Sequence, residues 1–243
     1  MPGASRFVNY CSRNYSSQNA RSGFLTKIFG TLASVTLVIE LGATTWWVWT
    51  DRAQYRSLDR AKTLLWENVY AGGSETLYCG VPFNRKLDLG SENSVEHVVP
   101  KADLNRLCLI PGWSCSSYSR AASDLHNLWP ELGYVNRARS NHPFAEIPGE
   151  KHRLNLARCP DFEREKAATG AHVEPRDDVK GDVARTILYM QQHYRMQFHT
   201  SQQMLLRWHR FDPPNEVERQ RNNIIARLQK TRNPYIDGLA LNP

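Results

Sequence analysis

Apolar residues recur at helical spacing in three segments of the last third of the chain. In the first segment, which follows two aspartates, they are Val179, Val183, Ile187, Met190 and Tyr194. A second helix is predicted to begin at Ser201. Asn215, with Glu218 three residues later, has the pattern of a capping box and predicts a third helix. The apolar positions of this third helix are Val217, Ile224, Ile225 and Leu228. We expect all three helices to pack into a core.

The earlier part of the chain is less regular. Residues 51–70 show near-helical spacing and are followed by Gly72 and Gly73, which predicts a helix ending there. Residues 75–81 are β-prone, whereas residues 101–123 show no periodic pattern and are predicted to form a loop. Residues 142–175 are rich in proline, glycine and charge, and we expect mostly loop there as well.

Between these loops the pattern predicts a compact strand–loop–strand–helix unit. The β-branched run 94–99 is stopped by Pro100 and is interpreted as a strand. A second strand is expected at 125–129 and a helix at 131–139, after Pro130. The predicted fold class is therefore α+β and mainly helical, with one domain over residues 51–243.

An apolar segment at residues 28–49 precedes this domain. Its 22 residues are long enough to span a bilayer, which takes roughly 20. It is either an uncleaved transmembrane anchor, which we favour, or a signal segment that is removed. The basic region 1–27 would remain in the cytoplasm in both cases. Everything after about residue 50 is then exported, to the periplasmic face of the inner membrane if the anchor is kept, or to the periplasm or medium if it is cleaved.

Export makes the four cysteines of the predicted domain candidates for two disulfides. Cys108 and Cys115 are close enough in sequence to close a small loop, which leaves Cys79 for Cys159. The sequence alone allows three pairings. A zinc site is disfavoured because no Cys-x-x-Cys spacing occurs.

The chain has a net charge of +7, but part of that lies before residue 51. The remainder holds 27 basic and 23 acidic residues, a net charge of +4. This mild excess is compatible with a polyanionic ligand without identifying one. A hydrophobic content of 41% is sufficient for a real core and excludes global disorder.

Candidate chemistry is concentrated in residues 94–141. His97 is a suitable general base because an unperturbed imidazole is partly neutral near physiological pH. Glu96 and Asn136 supply oxygen atoms, the ligands that Mg²⁺ or Ca²⁺ prefer. Adjacent residues on a regular strand point to opposite faces, so Glu96 and His97 can share a site only where the strand ends or twists. Together these residues suit phosphodiester hydrolysis with one hard metal ion.

This combination resembles the endonuclease I family, bacterial periplasmic or secreted nucleases built around a ββα-metal (His-Me finger) motif. The resemblance runs from about residue 64 to 237. Its three active-site blocks are similar to residues 96–100, 124–128 and 135–141. Its later helix is similar to the segment around Gly181–Arg185, and its C-terminal signature to Trp208, Asp212–Pro213, Glu218–Arg219, Arg221–Asn222 and Arg232–Tyr235.

The resemblance implies a role for each matched residue. His97 would be the general base, while Glu96 and Asn136 would bind a single Mg²⁺, for which Mn²⁺ or Ca²⁺ could substitute in binding. Asn127 would hold the His97 loop or orient the imidazole, and Arg139 would contact the scissile or a neighbouring phosphate. Asn141 and Arg137 are further candidates for contact with the nucleic acid, whereas His126 is expected to be a buried structural residue.

The sequence departs from the family pattern in two places. The family usually has an arginine in the disulfide-closed loop, but residues 109–114 contain no basic residue; Arg106 or Arg120 is a candidate replacement. The N-terminal region is also longer than a simple signal peptide.

The expected function is that of an exported, monomeric, Mg²⁺-dependent non-specific endonuclease. Its substrate would be single- or double-stranded DNA, with RNA as a further candidate, and its product would keep a 5′-phosphate. The alternative is a membrane-tethered DNA-binding or uptake protein whose nuclease activity is weak or lost.

Overall fold

The computed structural model describes most of the predicted exported domain. The described residues are 57–109, 115–149, 156, 158–167 and 170–238. The predicted basic region 1–27 and the predicted membrane or signal segment 28–49 lie outside them. Within these ranges, no helix combines the length and the apolar character needed to cross a membrane.

Helices and short paired strands alternate along the described chain, which is consistent with the predicted α+β class. The helices are α1 (Leu58–Leu64, continued by a π-helical turn Leu65–Val69), α2 (Lys101–Leu104), α3 (Cys115–Ala122), α4 (Gly133–Arg139), α5 (Lys180–Tyr194), α6 (Gln202–Phe211) and α7 (Glu216–Gln229). The strands are β1 (Ser74–Glu75), β2 (Pro82–Phe83), β3 (Asn93–His97), β4 (Leu128–Leu132), β5 (Glu163–Ala167) and β6 (Gly170–Glu174). Segments of 3₁₀ helix lie at Lys86–Glu92, which is kinked at Gly90, and at Asn105–Cys108, Leu125–Asn127 and Asp177–Val179.

The three C-terminal helices follow the predicted pattern. Ser201 caps α6 by accepting the backbone N–H of Met204 at 3.4 Å. Asn215 and Glu218 form the predicted reciprocal capping box of α7. Val217 is the exception, since it is 59% exposed and does not belong to the buried face. Position 217 is the second residue of α7, one turn or more before Ile224, Ile225 and Leu228.

Strands β3 and β4 pair antiparallel, with Glu96 opposite Trp129 and His97 opposite Leu128. Helix α4 begins directly after β4, so strand, strand and helix form one contiguous unit. The predicted order of this unit is confirmed, but its boundaries shift. β4 runs through Pro130 to Leu132. Proline has no N–H to donate, which an edge strand tolerates, and the Pro130 carbonyl accepts the N–H of Leu77 at 3.1 Å.

Two predicted loops contain regular structure. Helices α2 and α3 lie within residues 101–123, and the β5–β6 hairpin lies within residues 142–175. Short elements of four to eight residues carry too little periodicity to be recognised from the sequence. The predicted β-prone run 75–81 mostly forms a turn between the two-residue strands β1 and β2.

A disulfide joins Cys79 to Cys159 across 80 residues of sequence, which confirms this part of the predicted pairing. It ties the turn after β1 to the segment before β5. The side chains of Cys108 and Cys115, and most of the loop between them, lie outside the described residues.

Buried polar side chains of α5 and α7 support the turn that leads into β4. Asp124 accepts hydrogen bonds from the hydroxyls of Tyr189 (3.0 Å) and Tyr194 (2.9 Å). Arg221 donates to the carbonyl of Leu128 at 2.9 Å, and its guanidinium lies 3.8 Å from the ring centroid of Trp129. The C-terminal helices therefore fix the backbone on which the central strand–strand–helix unit is built.

Candidate active site

The end of β3 brings two adjacent polar residues into one cleft. Glu96 and His97 are 1% and 8% exposed, and both line a cleft of about 480 Å³. The strand stops at His97, and residues 98 and 99 bend before Pro100 begins the next turn. This ending allows neighbouring side chains to reach the same cleft, which a continued strand would prevent.

The imidazole of His97 is held in one tautomer by the backbone. Its Nε2 lies 2.9 Å from the carbonyl oxygen of Ala122, at the end of α3. A carbonyl only accepts hydrogen bonds, so Nε2 carries the proton and the lone pair is on Nδ1. Burial lowers the pKa of His97 to about 4, and the charges of Lys101 and Lys62 act in the same direction. The ring is therefore neutral at physiological pH, and its unprotonated Nδ1 is available to accept a proton.

The carboxylate of Glu96 is braced by two buried side chains. The hydroxyl of Tyr78 donates to Oε1 at 2.9 Å, and Nε of Arg139 lies 3.3 Å from the same oxygen. Tyr78 is in turn fixed by its backbone N–H, which donates to the buried Glu131 at 2.6 Å. Burial raises the pKa of Glu96 to about 7, although Arg139 and Tyr78 oppose that rise. A cation beside Glu96 would favour its ionised form.

Asn136, on α4, presents its amide oxygen rather than its nitrogen to the surroundings. Its Nδ2 donates to the hydroxyl of Ser94 at 3.0 Å and to the carbonyl of Val95 at 3.2 Å. Because the Val95 carbonyl can only accept, this orientation of the amide is determined. No hydrogen-bond donor among the described residues contacts Oδ1 of Asn136. Oδ1 and the Glu96 carboxylate form a hard oxygen pair that suits Mg²⁺ or Ca²⁺.

Asn127 holds the chain just after His97. It is fully buried, accepts the N–H of Val99 at 2.7 Å and donates to the carbonyl of Val99 at 3.0 Å. The backbone N–H of Val98 also donates to the carbonyl of Asn127 at 3.2 Å. These three bonds fix the bend that follows the strand.

Arg139 is a buried brace in this structure. It is 2% exposed, donates to the carbonyls of Val98 and Ser140, and lies 4.8 Å from the ring centroid of Phe144. It also lines a second cleft of about 450 Å³, which shares Pro100 with the first. The predicted contact of Arg139 with a phosphate stays a prediction.

The remaining candidates lie outside the described lining of the first cleft. Arg137 has an exposed side chain 3.4 Å from the carboxylate of Glu92, and Asn141 lines the second cleft. His126 is fully buried, with Nε2 3.2 Å from the carbonyl of Thr231, as expected for a structural histidine.

The candidate replacements for the missing loop arginine are also displaced from His97. Arg106 lines the second cleft and donates to Nε2 of His199 at 2.6 Å, and Arg120 lies 3.4 Å from the hydroxyl of Ser117. Neither belongs to the described lining of the first cleft.

The sequence analysis missed several side chains of the site. Lys62, Trp66, Lys86 and Lys101 line the first cleft, and Tyr78 braces Glu96. Lys62 and Trp66 are four residues apart on the predicted first helix, which could have indicated a shared functional face. The sequence contains no comparable signal for Tyr78, because its contact spans 18 residues and depends on packing.

Known proteins that this chain resembles in sequence are nucleases. A model of the Endonuclease I family matches residues 41–239. An extracellular deoxyribonuclease of Aeromonas hydrophila is 30% identical over 168 residues, covering 65% of this chain and 71% of its own length. A periplasmic deoxyribonuclease of the same species is 28% identical over 65% of this chain and 69% of its own length. An extracellular ribonuclease of Bacillus subtilis (strain 168) is 35% identical over 141 residues, covering 47% of this chain and 43% of its own length.

The match extends over most of the described chain and includes the strand–strand–helix unit with Glu96, His97 and Asn136. The protein belongs to the endonuclease I family of nucleases.

Proposed function

We propose that this protein is an exported, metal-dependent endonuclease that hydrolyses phosphodiester bonds of DNA and RNA without sequence specificity. Nucleases of this family are metal-dependent in general. Its relatives include an extracellular deoxyribonuclease, a periplasmic deoxyribonuclease and an extracellular ribonuclease. These relatives support export and activity on both DNA and RNA. The Cys79–Cys159 disulfide suits an oxidising compartment.

His97 is the proposed general base, and the observation that carries the proposal is the contact of its Nε2 with the Ala122 carbonyl, which leaves the lone pair on Nδ1. Because Nε2–H donates to the carbonyl of Ala122, a proton taken from water can arrive only at Nδ1. Burial keeps the ring neutral before the reaction. After proton transfer, the Ala122 carbonyl stabilises the imidazolium through the same bond. The water oxygen attacks phosphorus, and the 3′ oxygen leaves, so that the 5′-phosphate stays on the product.

Glu96 and Asn136 are the proposed ligands of Mg²⁺, or of Mn²⁺ or Ca²⁺ in its place. The Asn136 amide is fixed with Oδ1 free of donors from the described chain, and Tyr78 and Arg139 hold the Glu96 carboxylate. When bound, the cation supplies positive charge for the phosphorane-like transition state and the departing oxygen. The chain's own contribution is to keep this oxygen pair in place before the cation arrives.

Lys62, Lys86 and Lys101 are proposed to contact phosphates along the cleft. Contacts with the backbone carry no sequence information, which fits cutting without specificity. Substrate affinity should therefore fall with rising salt concentration.

Plasmid nicking by the exported domain tests this function. We expect His97→Ala to abolish nicking, whereas His193→Ala, a change of an exposed histidine on α5, should keep it. Both variants should keep the wild-type circular dichroism spectrum and a cooperative thermal unfolding transition well above the assay temperature. Full activity of His97→Ala, or of the wild type in excess EDTA, would contradict the mechanism. DNA binding without cleavage at any Mg²⁺ or Mn²⁺ concentration would instead identify a binding protein without turnover.

A further inference from the structure

One wall of the first cleft combines cations with an aromatic ring. Lys62 and Trp66 lie one helical turn apart and both line the cleft that holds His97. Trp66 belongs to the π-helical turn after α1, in which Leu65 and Val69 are buried. Wider turns of this kind are frequent at functional sites, because the extra residue re-aims a side chain. Here the turn keeps its apolar residues in the core while Trp66 reaches the cleft.

The ring of Trp66 is held on its core side and open to a cation on its face. It contacts Phe83 edge-on, with ring centroids 5.7 Å apart, and is partly buried. The ammonium of Lys86 lies over the ring, 6.0 Å from its centroid. A lysine side chain is flexible and gives way to a planar group at little cost, whereas a packed core residue does not. Trp66 therefore offers a rigid aromatic face beside the candidate catalytic residues.

A third cleft, of about 630 Å³, begins on the other side of this wall. Lys62, Trp66 and Lys86 line both the first and the third cleft, so these three residues form the ridge between them. We call them the Trp66 platform. Beyond it the third cleft holds Arg85 together with two acidic residues, Asp59 and Glu67. Lys62 and Lys86 are therefore part of the wall of the cleft that holds His97, whereas Arg85 lines the third cleft and not the first.

We propose that the Trp66 platform binds the nucleotide next to the scissile phosphate, in a strand whose base is unpaired. The base stacks on Trp66, while Lys62 and Lys86 contact the phosphates on either side of it. A base inside a duplex is already stacked on both faces, so only single-stranded or locally opened nucleic acid uses the platform. Neither contact reads the sugar 2′ position, so DNA and RNA are bound alike. This inference rests on the proposed nuclease function, because the strand must lie across the His97 cleft.

Binding to an inactive variant tests the platform without metal or turnover. In the His97→Ala background, we measure fluorescence anisotropy with a labelled oligothymidylate and with an abasic oligonucleotide of equal length. Trp66→Ala should weaken oligothymidylate binding by about 10- to 100-fold and leave abasic binding unchanged, since stacking needs a base. Trp66→Phe should keep most of the affinity. Trp66→Leu fills the space against Phe83 without a stacking face and should behave like Trp66→Ala.

The lysines have a separate signature. Lys62→Ala and Lys86→Ala should each reduce the slope of log affinity against log salt by about 0.7 for a single strand, with both oligonucleotides. Lys230→Ala, a change of an exposed lysine at the end of α7, is the control and should leave the slope unchanged.

Three outcomes would overturn the inference. The first is an equal loss of affinity for both oligonucleotides in Trp66→Ala, and the second is an unchanged affinity for both. The third is an equal affinity of the Trp66→Phe and Trp66→Leu variants for oligothymidylate. If Trp66→Ala lowers the melting temperature but Trp66→Phe and Trp66→Leu do not, the comparison of the last two variants decides the question. In the active enzyme, Trp66→Ala should lower kcat/KM for a single-stranded substrate about 10-fold or more while duplex cleavage persists. Failure of the proposed nuclease function appears elsewhere, as absence of EDTA-sensitive nicking by the wild type.

Discussion

Removing the side chain of Asn127 should loosen the bend that presents His97. In Asn127→Ala, the N–H and the carbonyl of Val99 both lose their partner in a fully buried position. A buried backbone group without a hydrogen bond costs about 1–3 kcal/mol, so the free energy of unfolding should fall by about 2–6 kcal/mol. Domains unfold with about 5–15 kcal/mol in total, so a loss of about 4 kcal/mol, the middle of the expected loss of about 2–6 kcal/mol, leaves the variant folded. For a domain of this size, the melting temperature should fall by about 5 to 20 °C.

The same change should reduce catalysis, because Val99 is two residues after His97. A displacement of about 1 Å at a catalytic group costs on the order of 100-fold in rate. We expect kcat/KM for plasmid nicking to fall by about 10- to 100-fold when both proteins are assayed well below their melting temperatures. Asn223→Ala, at an exposed position of α7, should leave both quantities within error of the wild type.

Asn127→Asp separates the two hydrogen bonds. The introduced carboxyl still accepts the N–H of Val99, but when ionised its second oxygen faces the Val99 carbonyl without a proton. At lower pH the carboxyl gains a proton and can donate to that carbonyl. The stability deficit relative to the wild type should therefore be smaller at pH 5 than at pH 8, as measured by urea unfolding.

An unchanged melting temperature in Asn127→Ala would refute the reasoning. Unchanged activity at a lowered melting temperature would show that the clamp stabilises the fold without positioning His97.

Three further predictions concern pH and packing. Burial raises the pKa of Glu96 to about 7, so below that pH a bound proton should compete with the metal ion for the carboxylate. The Mg²⁺ affinity measured by calorimetry should then fall about tenfold for each pH unit below 7. A constant affinity from pH 5.5 to 8 would contradict this. Burial lowers the pKa of His126 to about 4, below the value of about 6.5 in the unfolded chain. The free energy of unfolding should therefore be constant above pH 6.5 and fall by about 3 kcal/mol as the pH drops towards 4. His126→Gln should flatten this loss in urea titrations, and an unaltered slope would count against it. Gly181→Ala would place a Cβ 2.0 Å from the Asp212 carbonyl and should cost about 2–3 kcal/mol, whereas Gly72→Ala, which meets nothing within 4 Å, should be nearly neutral in thermal melts.

The buried ions of the C-terminal helices show where pattern reasoning reaches its limit. Periodicity predicted α5 and α7 as apolar packing elements, and both are present. Yet Arg185 is fully buried and donates from Nε to Glu218 at 2.8 Å, so the interface between these helices also contains an ion pair. From the sequence alone, a charged residue is predicted to be exposed unless a partner of opposite charge can be identified. The partner of Arg185 is 33 residues away in the sequence. Only the packing of the two helices could reveal it.

Local interactions explain what the sequence by itself determined. Residues within about four positions of one another determine the helix caps and the stop at Pro100 after β3. They also determine the order of the elements β3, β4 and α4. The blocks around Glu96, His97 and Asn136 indicated the family, because their residue types and their order can be read from the sequence alone. The family match over residues 41–239 agrees with that identification.

The tertiary structure decided how those residues meet. The Ala122 carbonyl that fixes the His97 tautomer is 25 residues from it, and the Val95 carbonyl that orients Asn136 is 41 residues away. The burial that shifts the pKa of His97 is also a property of the packed core. These contacts join segments that are distant in sequence, so their partners are selected by packing and not by any local pattern.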